Sequence, residues 1–318
     1  MDCKRDEGLT IILDGNSYCH RAGHAMFLQN DKGENVSVAF GFLRMTRSLI
    51  EKHKPKEVCV CWDAKGGSAS KKALYPVYKE QRKQEVGAPF SIYQEIIKQI
   101  DEMYSILPDF GLKQIKIEGL EADDAIGLLV DILPASTQML VVSSDRDLFQ
   151  LVNEGATVYY PKDDIYLTKE NFEEYFGLKP ECYVYYKSLV GDSSDNIKGL
   201  EQFGEKTSTR LSRKFGPWIN WFSDGNVSIS VLNDLKKKQR EIIMRSESYE
   251  ILLRNFALIK LGLLDVNFKD EVWKEYESQK PIFDEQKIKG YLFDKQFSSI
   301  LARFNAFIHP FRLLSRKE

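Results

Sequence analysis

Cysteine is scarce in this chain, and no pair of cysteines has the spacing of a metal-binding or redox motif. The 318 residues include five cysteines, and none of them forms a Cys-x-x-Cys pair. This odd number excludes an even disulfide framework and gives no support to a cysteine zinc site. Cys59 and Cys61 alternate within an apparent strand and are expected to pack as small apolar residues. We therefore expect a reducing, intracellular setting, which means a cytoplasmic location.

Long hydrophobic runs are also absent. No apolar stretch approaches the roughly 18–20 residues that span a bilayer, and the amino terminus has no hydrophobic signal-peptide segment. We therefore expect no association with a membrane. The composition, 43% hydrophobic and 29% charged, is ordinary for a globular protein, and 318 residues suffice for one large domain or two smaller ones.

Arrangements for nucleophilic catalysis are missing as well. The chain has only four histidines, and no Ser/His/Asp or Cys/His arrangement stands out. His20 and His24 are four residues apart on a possible helix, but two histidines alone make an incomplete zinc site. No EF-hand loop is present, so a calcium-stabilised structural protein has little support.

Carboxylates are abundant, and nine of them occupy positions where they would converge. Asp14 follows the apolar run LTIIL, Asp63 follows VCVCW, and Asp145 and Asp147 follow MLVVSS. Aspartates at strand ends lie at the carboxyl edge of the sheet, where open α/β folds build their sites. Converging like charges repel unless hard cations such as Mg²⁺ or Mn²⁺ lie between them. The nine are Asp14, Asp63, Glu121, Asp123, Asp124, Asp145, Asp147, Asp192 and Asp195.

The net charge of −2 hides a basic remainder. Lysine and arginine number 45 and the acidic residues 47, so setting the nine candidate ligands aside leaves 45 against 38. A negative pit within a mildly basic surface suits a phosphate backbone, although a charge surplus alone is a weak indicator.

The order of apolar patterns predicts an α/β fold. Strands are predicted at 9–13, 58–62, 114–117, 139–143 and 157–160, and helices at 36–53 and 91–106. Strands separated by helices indicate a mainly parallel central sheet flanked by helices. From about residue 178 the pattern turns helical, with a helix that ends at Gly191 and another that begins near Glu205. We expect two domains, an α/β domain at 1–177 and a helical one at 178–318.

Basic and aromatic residues interleave between the second strand and the 91–106 helix. The segment 64–90 opens with Gly-Gly-Ser and contains tyrosines among several cations. A mobile, solvated loop would explain it equally well. Cations that track phosphates and tyrosines that stack on bases are, however, how proteins usually hold single strands. The residues concerned include Lys71, Lys72, Tyr75, Tyr78, Lys79, Arg82 and Lys83.

Six motifs occur in an order that resembles a known family. They are DGNS at 14–17, WD at 62–63, YKEQR at 78–82, GLEADD at 119–124, SSDRDLFQL at 143–151 and GDSSDNIKGL at 191–200. Together they resemble the 5′→3′ exonuclease and flap endonuclease family, over residues from about 9 to 215. That family includes the nuclease domain of bacterial DNA polymerase I and bacteriophage 5′-nucleases, some of them called phage ribonuclease H. The resemblance implies a PIN-like α/β core, a helical arch at about 64–90 and a helix–three-turn–helix element at about 182–215.

The resemblance also implies the roles of individual residues. Two Mg²⁺ ions, with Mn²⁺ able to substitute, would be held by two carboxylate groups. The first group is Asp14, Asp63, Glu121 and Asp123; the second is Asp124, Asp145, Asp147, Asp192 and Asp195, with Asp124 near the junction. Lys79 and Arg82 would be catalytic. The DNA-binding residues would be Arg21, Lys71, Lys72, Tyr78, Lys83, Gly204, Lys206 and Thr207, with a monovalent cation at the helix–three-turn–helix element.

One position departs from the family pattern. The family usually has a Gly-hydrophobic-Gly turn before Glu-Lys-Thr, whereas this chain has Gln202-Phe203-Gly204. We expect the turn to be kept only if residue 202 does not need a positive φ. The departure puts the cation site and the phosphate contacts of this element in doubt.

The function implied is a structure-selective, divalent-metal-dependent 5′→3′ exonuclease and flap endonuclease in replication or repair. Its partners would be DNA with 5′ flaps or 5′ ends and RNA–DNA hybrids, and the protein would act as a monomer, for example in a phage-infected bacterium. Recruitment by a single-strand-binding protein, a clamp or a polymerase is left open. The alternatives are a PIN-like RNA endonuclease and a non-catalytic junction-binding replication factor.

Overall fold

A six-stranded sheet forms the centre of the first half of the chain. The structure, a computed structural model, describes residues 8–81, 92–223 and 226–315. The strand order is β3-β2-β1-β4-β5-β6, and every pair is parallel except β5 with β6. The strands are β1 (Leu9–Asp14), β2 (Glu57–Cys61), β3 (Lys113–Ile115), β4 (Gln138–Val142), β5 (Thr157–Tyr160) and β6 (Ile165–Leu167). The predicted α/β class with a mainly parallel sheet is confirmed.

Helices connect these strands and cover both faces of the sheet. They are α1 (Gly15–Ala25), α2 (Ser37–His53), α3 (Ala69–Leu74), α4 (Ile92–Ile106), α5 (Ala122–Ile132) and α6 (Phe172–Phe176). Short 3-10 helices lie at Leu107–Phe110, Arg146–Val152 and Pro180–Cys182.

The second half is mostly helical. Its helices are α7 (Tyr183–Val190), α8 (Glu205–Phe215), α9 (Ile229–Asp234), α10 (Lys237–Ile243), α11 (Ser246–Ile259), α12 (Lys269–Ser278), α13 (Glu285–Asp294), α14 (Ser298–Leu301) and α15 (Phe304–Leu314). Four two-residue strands form two antiparallel pairs. One pair is β7 (Gly191–Asp192) with β8 (Ile197–Lys198), and the other is β9 (Phe222–Ser223) with β10 (Asn226–Val227). Further 3-10 helices lie at Trp218–Trp221 and Val266–Phe268.

Alternating side chains of the sheet separate two hydrophobic cores. Along β1, Ile11 and Leu13 belong to one core and Ile12 to the other, as the two-residue period of a strand requires. Helices α13 and α15 contribute to the first core and α12 to the second, so elements from both ends of the chain share them. The division at residue 177 stays a prediction.

In the helix–three-turn–helix region, the first helix ends and the second begins within one residue of the predicted positions. Helix α7 ends at Val190, with Gly191 as its C-cap, and α8 begins at Glu205. The expectation for Gln202 was wrong, because this residue has a φ of 68°. Its side chain is exposed and the neighbouring Phe203 is buried. The left-handed position before the buried phenylalanine is thus occupied by glutamine and not by glycine.

In the part of the chain that the structure describes, no helix combines the length and the apolar character needed to cross a bilayer.

Candidate metal centre

Three neighbouring strands bring aspartates to one edge of the sheet. Asp14 is the last residue of β1, Asp63 lies two residues after β2, and Asp145 lies three residues after β4. Because β1 lies between β2 and β4, the carboxyl ends of all three strands are adjacent. This is the edge at which the sequence predicted a site.

Asp14 is buried at this edge and is held by two hydrogen bonds. Its Oδ1 accepts from the backbone N–H of Ser17 at 3.0 Å, and its Oδ2 accepts from the hydroxyl of Ser143 at 2.8 Å. Burial, together with the charges of Asp63 and Asp145, raises the pKa of Asp14 to about 7, although the two hydrogen bonds oppose this. A nearby cation would favour the ionised form of this carboxyl group.

The start of helix α5 adds three more carboxylates. Asp63 Oδ1 accepts from the N–H of Ala122 at 2.8 Å and so joins the strand edge to this helix. Glu121, Asp123 and Asp124 each offer an oxygen, and these oxygens lie within 4.8 Å of one another. Asp124 is buried, and burial raises its pKa to about 7. These three residues can share one cation.

Lys71 lies inside this cluster and not on an exposed arch. Its Nζ is 2.6 Å from Asp124 Oδ2, 3.0 Å from Glu121 Oε2 and 3.8 Å from Asp123 Oδ1. The side chain is buried, with only 2% of Lys71 exposed. The lysine balances the charge of the carboxylates, and its burial disagrees with the exposed position that a phosphate contact requires.

Tyr78 and Lys79 close over the same carboxylates. The Tyr78 hydroxyl, which has one proton to donate, lies 2.9 Å from Asp195 Oδ2 and 3.1 Å from Glu121 Oε2. Lys79 Nζ donates to Glu121 Oε1 at 2.8 Å. Although burial opposes it, the charges of Lys71 and Lys79 lower the pKa of Glu121 to about 2. Tyr78 is buried, so the exposed stacking face expected of it is absent here.

A second group of carboxylates surrounds Lys187 of helix α7. Lys187 Nζ is 2.5 Å from both Asp147 Oδ1 and Asp192 Oδ2. Asp145 Oδ1 accepts from the N–H of Asp147 at 2.8 Å, which connects this group to the end of β4. Burial raises the pKa of Asp147 to about 6, whereas Lys187 and the hydrogen bonds from Ser194 lower the pKa of Asp192 in spite of its desolvation.

A tight turn between β7 and β8 presents Asp192 and Asp195. The turn requires glycine, since a Cβ on Gly191 would lie 2.4 Å from Ile197 O. Asp192 Oδ1 accepts from the N–H of Ser194 at 2.8 Å, which fixes the aspartate within the turn.

The structure groups the carboxylates differently from the division that the resemblance implied. Asp124 lies with Glu121 and Asp123, and Asp195 shares Tyr78 with Glu121. Asp147 and Asp192 form a separate pair around Lys187. Lys187 was missed because its partner Asp147 lies 40 residues away, and no local sequence signal marks that contact.

Basic surfaces flank the carboxylates. Arg21 lines a cavity of about 790 Å³ that also includes Arg44 and Lys162. Ser17 lines the same cavity, and its N–H binds Asp14, so the cavity adjoins the carboxylates.

The remaining described residues that were predicted to bind DNA lie at the start of α8 and on α3. Gly204 and Lys206 are exposed at the start of α8, and Thr207 is half-buried in its first turn. Lys206 lines a second cavity of about 830 Å³ together with Arg210 and Arg213. Lys72 is exposed on α3. The predicted arch is described only as far as residue 81, so Arg82 and Lys83 lie outside the described residues.

The donor set of the cluster suits hard divalent cations. Glu121, Asp123 and Asp124 supply carboxylate oxygens, the ligands that Mg²⁺ and Mn²⁺ prefer. Lys71 and Lys79 already contact these oxygens. A metal ion would be repelled by the two ammonium groups, so it can bind only if the lysines give up part of these contacts.

Comparisons with known proteins agree with this geometry. The profile described as "5'-3' exonuclease, N-terminal resolvase-like domain" matches residues 9–177. The 5'-3' exonuclease of Aquifex aeolicus is 32% identical over 293 residues, 91% of this chain and 93% of that protein. DNA polymerase I of Bacillus caldotenax is 30% identical over 289 residues, 89% of this chain and 32% of that protein.

Solved structures show the same fold. The phage T5 D15 protein co-crystallised with metal ions superposes with a TM-score of 0.65 at 21% identity, over 84% of this chain and 99% of that one. The profile covers more than half of this chain, and the Aquifex relative exceeds 30% identity over nearly all of it. The carboxylates at the sheet edge and the sequence relatives thus lead to one conclusion: the chain belongs to the 5'-3' exonuclease family.

Proposed function

We propose that this protein is a structure-selective, divalent-metal-dependent 5′-nuclease that hydrolyses phosphodiesters at 5′ ends and 5′ flaps. The substrates are DNA and RNA primers paired with DNA. The observation that carries the proposal is the meeting of Asp14, Asp63 and Asp145 with the carboxylates of α5 at one sheet edge. The family membership supports the same activity.

Two ions of Mg²⁺ or Mn²⁺ held by these carboxylates would supply a deprotonated water and neutralise the phosphate oxygens. The chain's own residues prepare the ligands. Ser17 and Ser143 fix the orientation of Asp14, while Glu121 stays ionised because its pKa is about 2. Lys187 holds Asp147 and Asp192 at the second group.

Lys79 is proposed to stabilise charge on the scissile phosphate, with Arg82 as its partner. In support, the Nζ of Lys79, in the YKEQR motif, lies 2.8 Å from Glu121 Oε1. Neighbouring carboxylates raise its pKa although burial opposes this, so it carries a positive charge at neutral pH.

DNA is proposed to lie across both basic surfaces. The Arg21 cavity adjoins Asp14 on one side, and Gly204, Lys206 and Thr207 lie at the start of α8 on the other. Phosphate contacts by lysine, arginine and helix-terminal N–H groups position a duplex without reading its sequence. A monovalent cation at the turn before α8, action as a monomer in the cytoplasm and recruitment by a replication protein remain parts of this proposal.

The deciding experiment uses a 5′-flap duplex labelled at either end, incubated with Mg²⁺ or with EDTA. We expect Mg²⁺-dependent products cut near the junction or released from the 5′ end. Matched DNA and RNA flaps separate this activity from that of an RNA endonuclease. Tight binding without cleavage in Mg²⁺ or Mn²⁺ would identify a junction-binding factor instead.

Asp145→Asn is the matched control for that experiment. Asp145 is exposed, and the amide keeps an oxygen to accept the N–H of Asp147. We expect cleavage to be abolished while substrate affinity, measured by fluorescence anisotropy in Ca²⁺, changes little. An equal loss of binding and cleavage would contradict a catalytic role.

A further inference from the structure

The segment after α11 contacts the metal centre although it lies outside the residues matched by the family profile. The N–H of Gly262 donates to Asp124 Oδ1 at 2.9 Å. Three residues later, Asp265 Oδ1 accepts from the hydroxyl of Ser70 on α3 at 2.7 Å. The segment therefore holds both a candidate metal ligand and the helix that carries Lys71.

Asp265 is a buried carboxylate with only one of its two oxygens hydrogen-bonded. It is only 2% exposed, and its second oxygen, Oδ2, is buried and accepts no hydrogen bond from the described residues. Burying a carboxylate is costly unless a cation compensates it. The positive charge of Lys71, on α3, interacts electrostatically with the carboxylate of Asp265.

Helix α3 is fixed at two points close to Lys71. Two residues before its start, Gly67 packs so closely that a Cβ there would lie 2.8 Å from the backbone of Leu120. Ser70 is the neighbour of Lys71 and is bound to Asp265. These contacts hold the Lys71 ammonium 2.6 Å from Asp124 Oδ2, an oxygen of the cluster that would bind a cation.

We propose that Asp265 is a positioning residue, which anchors α3 through Ser70 and so keeps Lys71 in competition with divalent cations for Glu121 and Asp124. This inference rests on the proposed function only in taking these carboxylates as metal ligands. Its consequence is that the contact between Asp265 and Ser70 weakens metal binding in the absence of DNA. The C-terminal half thus sets the metal affinity of the nuclease half.

The test measures Mn²⁺ affinity of the full chain without DNA, by electron paramagnetic resonance of the free ion. Ser70→Ala removes the hydrogen bond without changing any charge. We expect it to tighten Mn²⁺ binding by roughly two- to tenfold, the range that corresponds to one hydrogen bond. Ser70→Thr, which keeps the hydroxyl, should retain the wild-type affinity.

Lys71→Met shows whether the effect passes through the lysine. It should tighten Mn²⁺ binding by itself, and adding Ser70→Ala should then have no further effect. Thr10→Val is a control, since it removes another hydroxyl-to-carboxylate hydrogen bond, that of Thr10 with Glu57, at the opposite end of β1. It should leave Mn²⁺ affinity unchanged. Thermal unfolding of each variant confirms that it is folded.

Unchanged affinity in Ser70→Ala, or an effect that adds to that of Lys71→Met, would overturn the proposal. Wild-type cleavage in Mg²⁺ together with unchanged affinity in Ser70→Ala would reject the positioning role and leave the proposed function standing. Tighter Mn²⁺ binding in Ser70→Ala, together with a wild-type protein that cuts no flap, would support the positioning role and reject the proposed function.

Discussion

Gln202 holds a backbone conformation that glycine usually adopts. Its φ of 68° costs an L-residue about 1–2 kcal/mol relative to a right-handed conformation. Gln202→Gly removes this strain but adds about 0.4–1 kcal/mol of chain entropy to the unfolded state. We expect a net gain of up to about 1 kcal/mol in the free energy of unfolding, measured in urea.

Gly216→Ala provides the matched control for that change. Gly216 ends α8 with a φ of 71°, and a Cβ there would meet nothing within 4 Å. Backbone conformation alone therefore decides the outcome, and we expect a loss of about 1 kcal/mol. A loss of about 0.4–1 kcal/mol in Gln202→Gly, together with a similar gain in Gly216→Ala, would show that left-handed conformations carry no cost in this region.

Single residues also show what the sequence could and could not predict. The aspartates at the ends of β1, β2 and β4 were predictable, because a strand fixes where its last side chain lies. The burial of Lys71 and the part played by Lys187 were not. Both depend on contacts with carboxylates far along the chain, and an isolated lysine in a basic segment is usually exposed.

Among the elements, the segment that follows α3 covers Glu121 and Asp195 of the candidate metal centre. Lys79 has a φ of 52°, and its backbone N–H donates to Asp195 O at 3.0 Å. Asn196 Nδ2 donates to Val77 O at 2.8 Å, which also ties the segment to the turn after β7. Asp63 and Asp145 stay exposed, whereas Glu121 and Asp195 are buried under Tyr78 and Lys79 of this segment. A phosphate that approaches the buried pair would therefore meet the cations of the segment.

Lys79→Ala should slow the chemical step. Losing one cation that stabilises the transition state lowers the rate by about 100-fold, the cost typical of a lost charge-stabilising donor. Single-turnover cleavage of a flap at saturating enzyme is the measurement. Thermal unfolding should change little in Mg²⁺. Wild-type single-turnover rates in this variant would remove Lys79 from the catalytic residues.

Lys72→Ala distinguishes chemistry from binding within the same helical segment. Lys72 is exposed and is one residue from Lys71, so its charge is available to a phosphate backbone. We expect weaker substrate binding with an unchanged single-turnover rate, and a lower salt dependence of the affinity because one phosphate contact is lost. A slower chemical step in Lys72→Ala would mean that binding by Lys72 and chemistry by Lys79 are not separate roles.

Element prediction succeeded where patterns were long and failed where they were short. Helices α2 and α4 follow the predicted ranges because their apolar residues recur at helical spacing over several turns. Strand β6 has only three residues and was missed. Its antiparallel pairing with β5 depends on the preceding turn and not on a pattern of its own.

For the molecule as a whole, the buried carboxylates make stability depend on pH in two windows. Burial raises the pKa of Asp14 and Asp124 to about 7 and that of Asp147 to about 6. Between about pH 4 and pH 7 the folded protein therefore binds more protons than the unfolded chain, so its free energy of unfolding falls as pH rises. Glu121, with its pKa lowered to about 2, acts oppositely and loses its contribution as pH falls below about 4.5.

Divalent cations should offset the loss at neutral and higher pH. They compete with protons for the same oxygens, so their stabilisation grows as Asp14, Asp124 and Asp147 ionise. At a concentration 100 times the dissociation constant at pH 8, Mg²⁺ should add about 2.7 kcal/mol to the free energy of unfolding, and much less at pH 5. Urea unfolding at both pH values, with KCl at matched ionic strength as control, measures the difference. Equal stabilisation by Mg²⁺ at pH 5 and pH 8, or by KCl at both, would show that the buried carboxylates do not bind the ion.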